Sequence, residues 1–300
     1  MADLNAKRQQ LLELLRSYQS CAVAFSAGVD STVLAKAAQL ALGDAAVAVT
    51  GVSASLAEGE LEDARQLARQ IGIRHVVVTT DELAQPDYVR NQSDRCYHCK
   101  TELYTQIERH IDQLGVAVVA YGANADDLTD YRPGMRAAHR HDVRSPLADC
   151  GITKDDVRRL AAEWALPVWD KPATPCLSSR IAYGEQVTPE RLAMIDQAER
   201  YLRRAGLTPV RVRYHRGDLA RVEVPPEAIA HLSQPERRTE LVAQLKSLGF
   251  RFVTIDLEGF RSGSLNDLVT PELVEIARSS SGPRVQAGHE EAPESATLGD

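Results

Sequence analysis

The sequence predicts an α/β chain: a doubly wound parallel sheet followed by a second, smaller α/β domain. Three observations carry this. Short apolar runs at residues 22–25, 45–52, 74–79 and 116–121 alternate with segments of helical period, the pattern of a parallel sheet with right-handed crossovers. The connection between the first run and the helix that follows it, residues 26–31, is short, polar and contains Gly28, so a strand feeds directly into a helix. Beyond Thr188-Pro189 the pattern changes to a long helix, two alternating strands, two further helices and a last strand.

The elements follow in order. Leu11, Leu12, Leu14 and Leu15 give an amphipathic first helix. Ala22 to Phe25 form a buried parallel strand, and from Thr32 the positions Val33, Leu34, Ala37, Ala38 and Ala41 recur at helical spacing. Strand, tight loop and helix together point free backbone N–H groups at one spot, which is an anion site. Ser26 and Ser31 add hydroxyl donors there, and Gly28 lets a phosphate come close. Asp30 would repel phosphates unless a cation intervenes, so Mg²⁺ between Asp30 and the phosphates is the economical reading. The plain alternative makes Asp30 and Ser31 helix caps.

A second strand, 45–52, ends at Val52 and Ser53. A helix over 61–71 and a third strand over 74–79 follow. Arg95-Cys96-Tyr97-His98-Cys99-Lys100 leads into a helix read over 102–114. Cys-x-x-Cys at a helix start favours thiolates and suits a metal or redox centre. The fourth strand ends in Gly122, Asn124, Asp126, Asp127, Asp130, Arg132 and Gly134, a cluster that reads as a site rather than a turn. Residues 143–147 read as an edge strand, and Thr153 with Asp156 as a capping box opening a helix that runs to about 165.

Residues 166–188 carry Pro167, Pro172 and Pro175 and little periodicity. Cys176 lies among them beside Arg180 and Lys171, cations that would favour its thiolate. Further on, Arg211 and Arg213 alternate with Val210, Val212 and Tyr214. That strand is apolar on one face and doubly cationic on the other, a solvated face unless it meets the first domain, where it would grip a phosphate. The domains are therefore read as 1–180, 185–276 for substrate and oligomerisation, and a disordered tail over 279–300 rich in Ser, Gly, Pro and Glu.

Composition narrows the function classes. Three hundred residues at 44% hydrophobic can build a large core. A mean hydropathy of -0.28 and the lack of a long apolar run argue against a membrane span, and the N-terminus lacks a signal-peptide core, so the chain reads as cytoplasmic. A net charge of -7 gives no general pull toward nucleic acid. Five cysteines, an odd count, point to metal or catalytic chemistry rather than disulfides.

Ser26-Ala27-Gly28-Val29-Asp30-Ser31 resembles the Ser-Gly-Gly-x-Asp-Ser signature of the PP-loop ATP pyrophosphatases, with Ala27 where glycine is usual. Those enzymes split ATP between the α and β phosphates and adenylylate a substrate. With the segments 95–100, 122–127, 145–147 and 171–180, and later 211–213 and 259–266, the chain resembles the LarE sulfur-transferases over nearly all of residues 10–276. The stretch around Cys176 is the most specific part.

The resemblance implies a step in making the nickel-pincer nucleotide. ATP and Mg²⁺ would activate a carboxylate of pyridinium biscarboxylic acid mononucleotide as an acyl-adenylate, and a sulfur nucleophile would displace AMP. It implies ATP contacts from Ser26, Gly28, Asp30, Ser31, Ser53, Gly122, Asp127 and Arg180. Glu199, Arg211 and Arg213 would hold the small nucleotide substrate, and Cys176 would be the sulfur source or a sulfur-site ligand. Both a sacrificial cysteine and a 4Fe–4S cluster carrying an extra sulfide occur in the family. The presence of Cys96, Cys99 and Cys176 together favours the cluster. The family also suggests a homo-oligomer. The rivals are a tRNA thiolase, against which the acidic balance counts, and a non-catalytic nucleotide-binding module.

Overall fold

A computed structural model describes residues 2–129, 133–172 and 174–261. Asp130, Arg132, the part of segment 259–266 after Arg261, the end of the 185–276 domain and the 279–300 tail lie outside the described residues.

The chain opens with α1 (Ala2–Ser17), β1 (Cys21–Ala24), α2 (Val29–Leu42), β2 (Ala46–Val52), α3 (Glu60–Ile71) and β3 (Arg74–Thr79). Next come α4 (Pro86–Val89), α5 (Arg95–Arg109), α6 (Ile111–Leu114) and β4 (Val118–Tyr121). Then α7 (Pro133–Arg140), α8 (Pro146–Asp149) and α9 (Lys154–Glu163) follow. The strands form one parallel sheet in the order β3-β2-β1-β4.

Strand alternation explains why helices cover both faces. Cys21, Val23 and Phe25 join a core with Leu11 and Leu15 of α1, Val33 and Leu34 of α2, and Leu160 of α9. Ala22 and Ala24 point the other way, into a core with Tyr104 and Ile107 of α5 and Ala137 and Ala138 of α7.

The second sheet begins after α10 (Pro189–Arg204) and contains β5 (Arg211–His215) and β6 (Leu219–Glu223). The helices α11 (Pro226–Leu232) and α12 (Pro235–Ser247) precede β7 (Phe252–Ile255). Its order is β5-β6-β7, antiparallel then parallel. Its core joins Ile195 and Leu202 of α10 to Val212, Tyr214, Val222 and Leu245.

Two sequence expectations need correction. Residues 143–147 do not make an edge strand. Arg144 alone bridges Ala120, and Pro146 opens α8 at once, a position where proline's missing N–H costs nothing. The helix read over 102–114 begins seven residues earlier, at Arg95, and breaks at His110, so Cys96 and Cys99 lie inside its first two turns. The capping box is present: Thr153 Oγ1 accepts from Asp156 N at 3.2 Å, and Asp156 Oδ2 accepts from Thr153 N at 3.3 Å.

Candidate active site

In a doubly wound sheet, ligands bind at the carboxyl ends of the strands where the strand order reverses. Here that point lies between β1 and β4. A cavity of about 280 Å³ opens there, lined among others by Ser26, Gly28, Asp30, Ser31, Gly122 and Asp127. Six residues anticipated as ATP ligands therefore share one wall.

The loop 26–31 is shaped for an anion. Gly28 is the N-cap of α2, and no side chain caps that helix, so the capping alternative for Asp30 and Ser31 is not realised. Ser31 Oγ donates to Gly28 O at 3.1 Å and lies 3.2 Å from Ser26 Oγ. Ala27 has φ 55, the left-handed region that glycine takes without strain. Gly122 is required by close approach: a Cβ there would fall 2.8 Å from Ser31 N.

Asp30 is held by groups distant in sequence. Its Oδ1 accepts from Asn124 Nδ2 at 3.1 Å, and its Oδ2 from Lys154 Nζ at 2.5 Å. Asp126 Oδ2 accepts from the backbone N–H of Lys154 at 2.8 Å, which sets the start of α9 and brings that ammonium to the loop. Asn124 N donates to Asp127 Oδ2 at 3.1 Å, so the 122–127 cluster and the loop form one network. Sequence reasoning missed Lys154; its signal was only its place directly after the Thr153 cap.

A second cavity, of about 170 Å³, adjoins the first, and Ala24, Ser26 and Lys100 line both. Ser53, Glu82, Cys99 and Cys176 line the second one. Glu82 is buried and accepts from Ser53 Oγ at 2.5 Å and Ser55 Oγ at 2.7 Å. Burial pushes the Cys99 thiol up, with the neighbouring Cys176 adding to the effect, so desolvation outweighs the helix-start preference for a thiolate. Cys96 is exposed and does not line this cavity. Among the described residues no three of His, Cys, Asp or Glu are gathered as a metal site.

The loop bearing Cys176 is pinned from four directions. Leu177 N donates to Ser55 O at 3.0 Å, beyond the end of β2. Arg95 Nη1 donates to Ser178 O at 2.8 Å, and Tyr88 Oη lies 2.6 Å from Ser178 Oγ. From the second sheet, Arg213 Nη1 donates to Ser179 O at 3.2 Å, and Ala182 N to Tyr214 O at 2.9 Å. Arg95 directly precedes the Cys-x-x-Cys motif, yet nothing in spacing told that it would brace a loop more than eighty residues away.

Arg180 and Glu199 form a buried pair, with side chains 2% and 0% exposed and Nε to Oε1 at 3.0 Å. Glu199 also accepts from Val212 N at 3.1 Å and Arg203 Nη1 at 3.1 Å. Arg180 donates to the carbonyl oxygens of Pro175 and Cys176, so it holds the backbone of the cysteine loop. It does not line the phosphate-loop cavity. Lys171 lies 3.7 Å from Asp63.

Arg211 and Arg213 are 9% and 6% exposed, which removes the solvated-face alternative. Arg213 pairs with Glu223 at 2.9 Å. Arg211 has its pKa pushed down to about 10 by burial first and by neighbouring Arg180 next, while Glu199 opposes the shift. Arg203 and Arg213 add to the same excess of positive charge.

A parallel sheet whose switch point carries the Ser26–Ser31 loop and an uncapped helix start is the arrangement of the PP-loop class. The comparisons carry this further. The chain is 39% identical over 271 residues to the pyridinium-3,5-bisthiocarboxylic acid mononucleotide synthase of Lactiplantibacillus plantarum, spanning 90% of this chain and 97% of that protein. It belongs to that synthase's family, the LarE family. An uncharacterized protein of Synechocystis sp. is 47% identical over 89% of this chain and 99% of its own length. The tRNA-specific 2-thiouridylase MnmA of Azorhizobium caulinodans is 31% identical over 50% of this chain and 48% of its own. No family model matches. No helix among the described residues is long and apolar enough to cross a membrane.

Proposed function

We propose that the protein is an ATP-dependent sulfur transferase that converts a carboxylate of pyridinium-3,5-biscarboxylic acid mononucleotide to a thiocarboxylate for nickel-pincer nucleotide synthesis. The observation that carries this reading is the pair of adjoining cavities: a phosphate-loop cavity and one holding Cys99 and Cys176, joined through Ser26 and Lys100. The synthase relative, matched over nearly its whole length, supports the choice of substrate.

ATP sits with its phosphates over the start of α2, and the uncapped N–H groups, Ser26, Ser31 and Lys100 hold the pyrophosphate end. Ser53, at the end of β2, lies toward the adenine. The substrate carboxylate attacks the α-phosphorus, and the bond to pyrophosphate breaks with its electron pair leaving on that group. The Cys176 sulfur then attacks the acyl carbon as AMP leaves. Loss of the Cα proton and cleavage of Cβ–S would release the thiocarboxylate and leave dehydroalanine.

Asp30 and Asp127 line one cavity and offer the hard oxygen donors that suit Mg²⁺. When bound, that ion would neutralise charge on the departing pyrophosphate. A 4Fe–4S cluster would be held by Cys96, Cys99 and Cys176. Cys99 and Cys176 meet that need in their shared cavity and Cys96 does not.

The second sheet serves as the substrate domain. Arg180, Arg203, Arg211 and Arg213 crowd around two buried carboxylates, Glu199 and Glu223. The excess positive charge suits the mononucleotide's phosphate. We read the chain as a cytoplasmic homo-oligomer.

The test is pyrophosphate release on adding ATP and the pyridinium mononucleotide, with thiocarboxylate followed by mass spectrometry. Release that requires the mononucleotide is expected. Turnover with tRNA in place of the mononucleotide, or none with either, would overturn the reading.

A further inference from the structure

Thr50 of β2 is buried, and its hydroxyl serves two partners. It donates to the Phe25 carbonyl at 2.8 Å and lies 2.8 Å from His75 Nε2 on β3. A hydroxyl has one proton, and a carbonyl oxygen only accepts. The proton therefore goes to Phe25, and the contact with His75 is closed by an N–H on Nε2. Burial first and Arg65 next push the His75 imidazole below its ordinary range, so at neutral pH the ring is neutral with its hydrogen on that nitrogen. The ring also meets the Phe25 ring edge-on, with centroids 5.9 Å apart.

The Phe25 carbonyl belongs to the peptide that leads from β1 into the phosphate loop. Phe25 N still pairs with Val49 O at 2.8 Å; past that bond the Thr50 hydroxyl takes over from the ladder. A trans peptide is planar, so its C=O and N–H point in opposite directions. Holding the carbonyl against β2 turns the Ser26 N–H across the loop, where it donates to Ser31 Oγ at 3.3 Å. Ser31 Oγ lies 3.2 Å from Ser26 Oγ, in the first turn of the uncapped helix α2. The reverse orientation of this peptide would put a carbonyl oxygen there, and that dipole repels an anion.

We propose that Thr50, with His75 behind it, is a positioning pair for nucleotide binding: it sets the direction of the 25–26 peptide and so keeps the N–H edge of the loop toward the phosphates. The assignment rests on loop 26–31 being the phosphate site, as argued under the proposed function. The pair acts through the Phe25 carbonyl, across the three neighbouring strands β3, β2 and β1. It places two determinants of phosphate binding outside the loop itself.

Thr50→Val keeps the branched shape and removes the hydroxyl, while Thr50→Ser keeps the hydroxyl. His75→Phe keeps an aromatic ring and leaves the Thr50 hydroxyl free to turn. Calorimetric titration with ATP and Mg²⁺, the same titration with the pyridinium mononucleotide, and thermal denaturation are measured for each. The expected result in Thr50→Val is ATP affinity weaker by about tenfold or more with mononucleotide affinity unchanged. Thr50→Ser is expected to restore ATP binding, and His75→Phe to lose about threefold to fivefold, again for ATP alone. Unchanged ATP affinity in either Thr50→Val or His75→Phe overturns the assignment. A loss that Thr50→Ser shares overturns it by making the methyl group the cause, and an equal loss for both ligands overturns it by reducing the pair to a brace of the whole fold. Wild-type protein that binds no ATP would instead bring down the phosphate-loop reading, and this assignment with it.

Discussion

Lys154 Nζ donates to Asp30 Oδ2 at 2.5 Å across a separation of 124 residues. The carboxylate of the phosphate loop is thus answered by a cation from the start of α9 before any ligand arrives. Lysine and a divalent ion would compete for that oxygen. Asp30→Ala is expected to cut pyrophosphate release by on the order of 10²–10³ with a near-normal melting midpoint. Lys154→Met is expected to lower the Mg²⁺ concentration giving half-maximal rate, because the carboxylate is released to the ion. Full activity in a folded Asp30→Ala variant would sink the assignment.

Gly122 and Gly28 differ in what they tolerate. A Cβ on Gly122 would meet Ser31 N at 2.8 Å and Asp30 C at 2.9 Å, both backbone atoms that cannot swing aside. On Gly28 it would meet Ser26 Oγ at 3.4 Å, an ordinary contact. Gly122→Ala is therefore expected to displace the start of α2 and weaken ATP binding strongly. Gly28→Ala should leave the free protein's stability almost unchanged and harm only nucleotide binding. Isothermal titration with ATP beside thermal denaturation separates the two.

Ala27 gives a smaller effect of opposite sign. It holds φ 55, a conformation costing a residue with a Cβ roughly 1–2 kcal/mol. Ala27→Gly removes that strain but adds chain entropy to the unfolded state, about 0.5–1 kcal/mol. The expected net is a slight rise in midpoint with ATP binding retained. A fall in midpoint would mean that the alanine methyl, itself buried, contributes more packing than strain.

Local pattern made much of this architecture legible. The runs at 22–25 and 74–79 have one neighbour-independent reading as strands, and Thr153 with Asp156 announces its helix. The edge strand read at 143–147 failed because a single bridge at Arg144 mimics strand alternation until Pro146 ends it. In the site, residues inside one motif were legible: Ser26, Gly28 and Ser31 share a loop. The braces were not. Lys154 reaches Asp30, Arg95 reaches Ser178, and Glu82 reaches Ser53, each across a long stretch of chain and each fixed only by packing of separate elements. Arg211 and Arg213 illustrate the limit from the other side. Alternation found their shared face, but Arg213 is held under the Ser179 loop and Arg211 lies over the Phe260 ring, contacts that alternation does not see.

Glu199 is the hub beneath the cysteine loop. It accepts from Arg180, Arg203 and Val212 N with no exposure to solvent. Glu199→Gln keeps its shape and removes its charge, leaving two arginines under-compensated. Breaking a buried pair in this way costs about 3–5 kcal/mol, a midpoint drop of roughly 5–8 °C for a chain of this size. Arg213→Ala is expected to weaken mononucleotide binding more than ATP binding. Equal losses for both ligands would make Arg213 a brace for Ser179 alone.

The cysteines separate adenylylation from sulfur transfer. Cys176→Ala should keep pyrophosphate release, since attack on the α-phosphorus needs no thiol, and should yield no thiocarboxylate. Cys99 shares Cys176's cavity and its thiol is pushed up by burial, so it is expected to resist alkylation at neutral pH, while exposed Cys96 reacts first. Cys21, pushed up to about 12 by burial, should not react until the protein unfolds. On this placement Cys96→Ala retains one round of sulfur transfer and Cys176→Ala retains none. Peptide mass spectrometry after reaction should find Cys176 lighter by one H₂S. Iron and acid-labile sulfide in anaerobically purified protein, lost together with transfer in Cys96→Ala and with Cys176 unchanged in mass over several turnovers, would replace the sacrificial route with a cluster held by all three sulfurs.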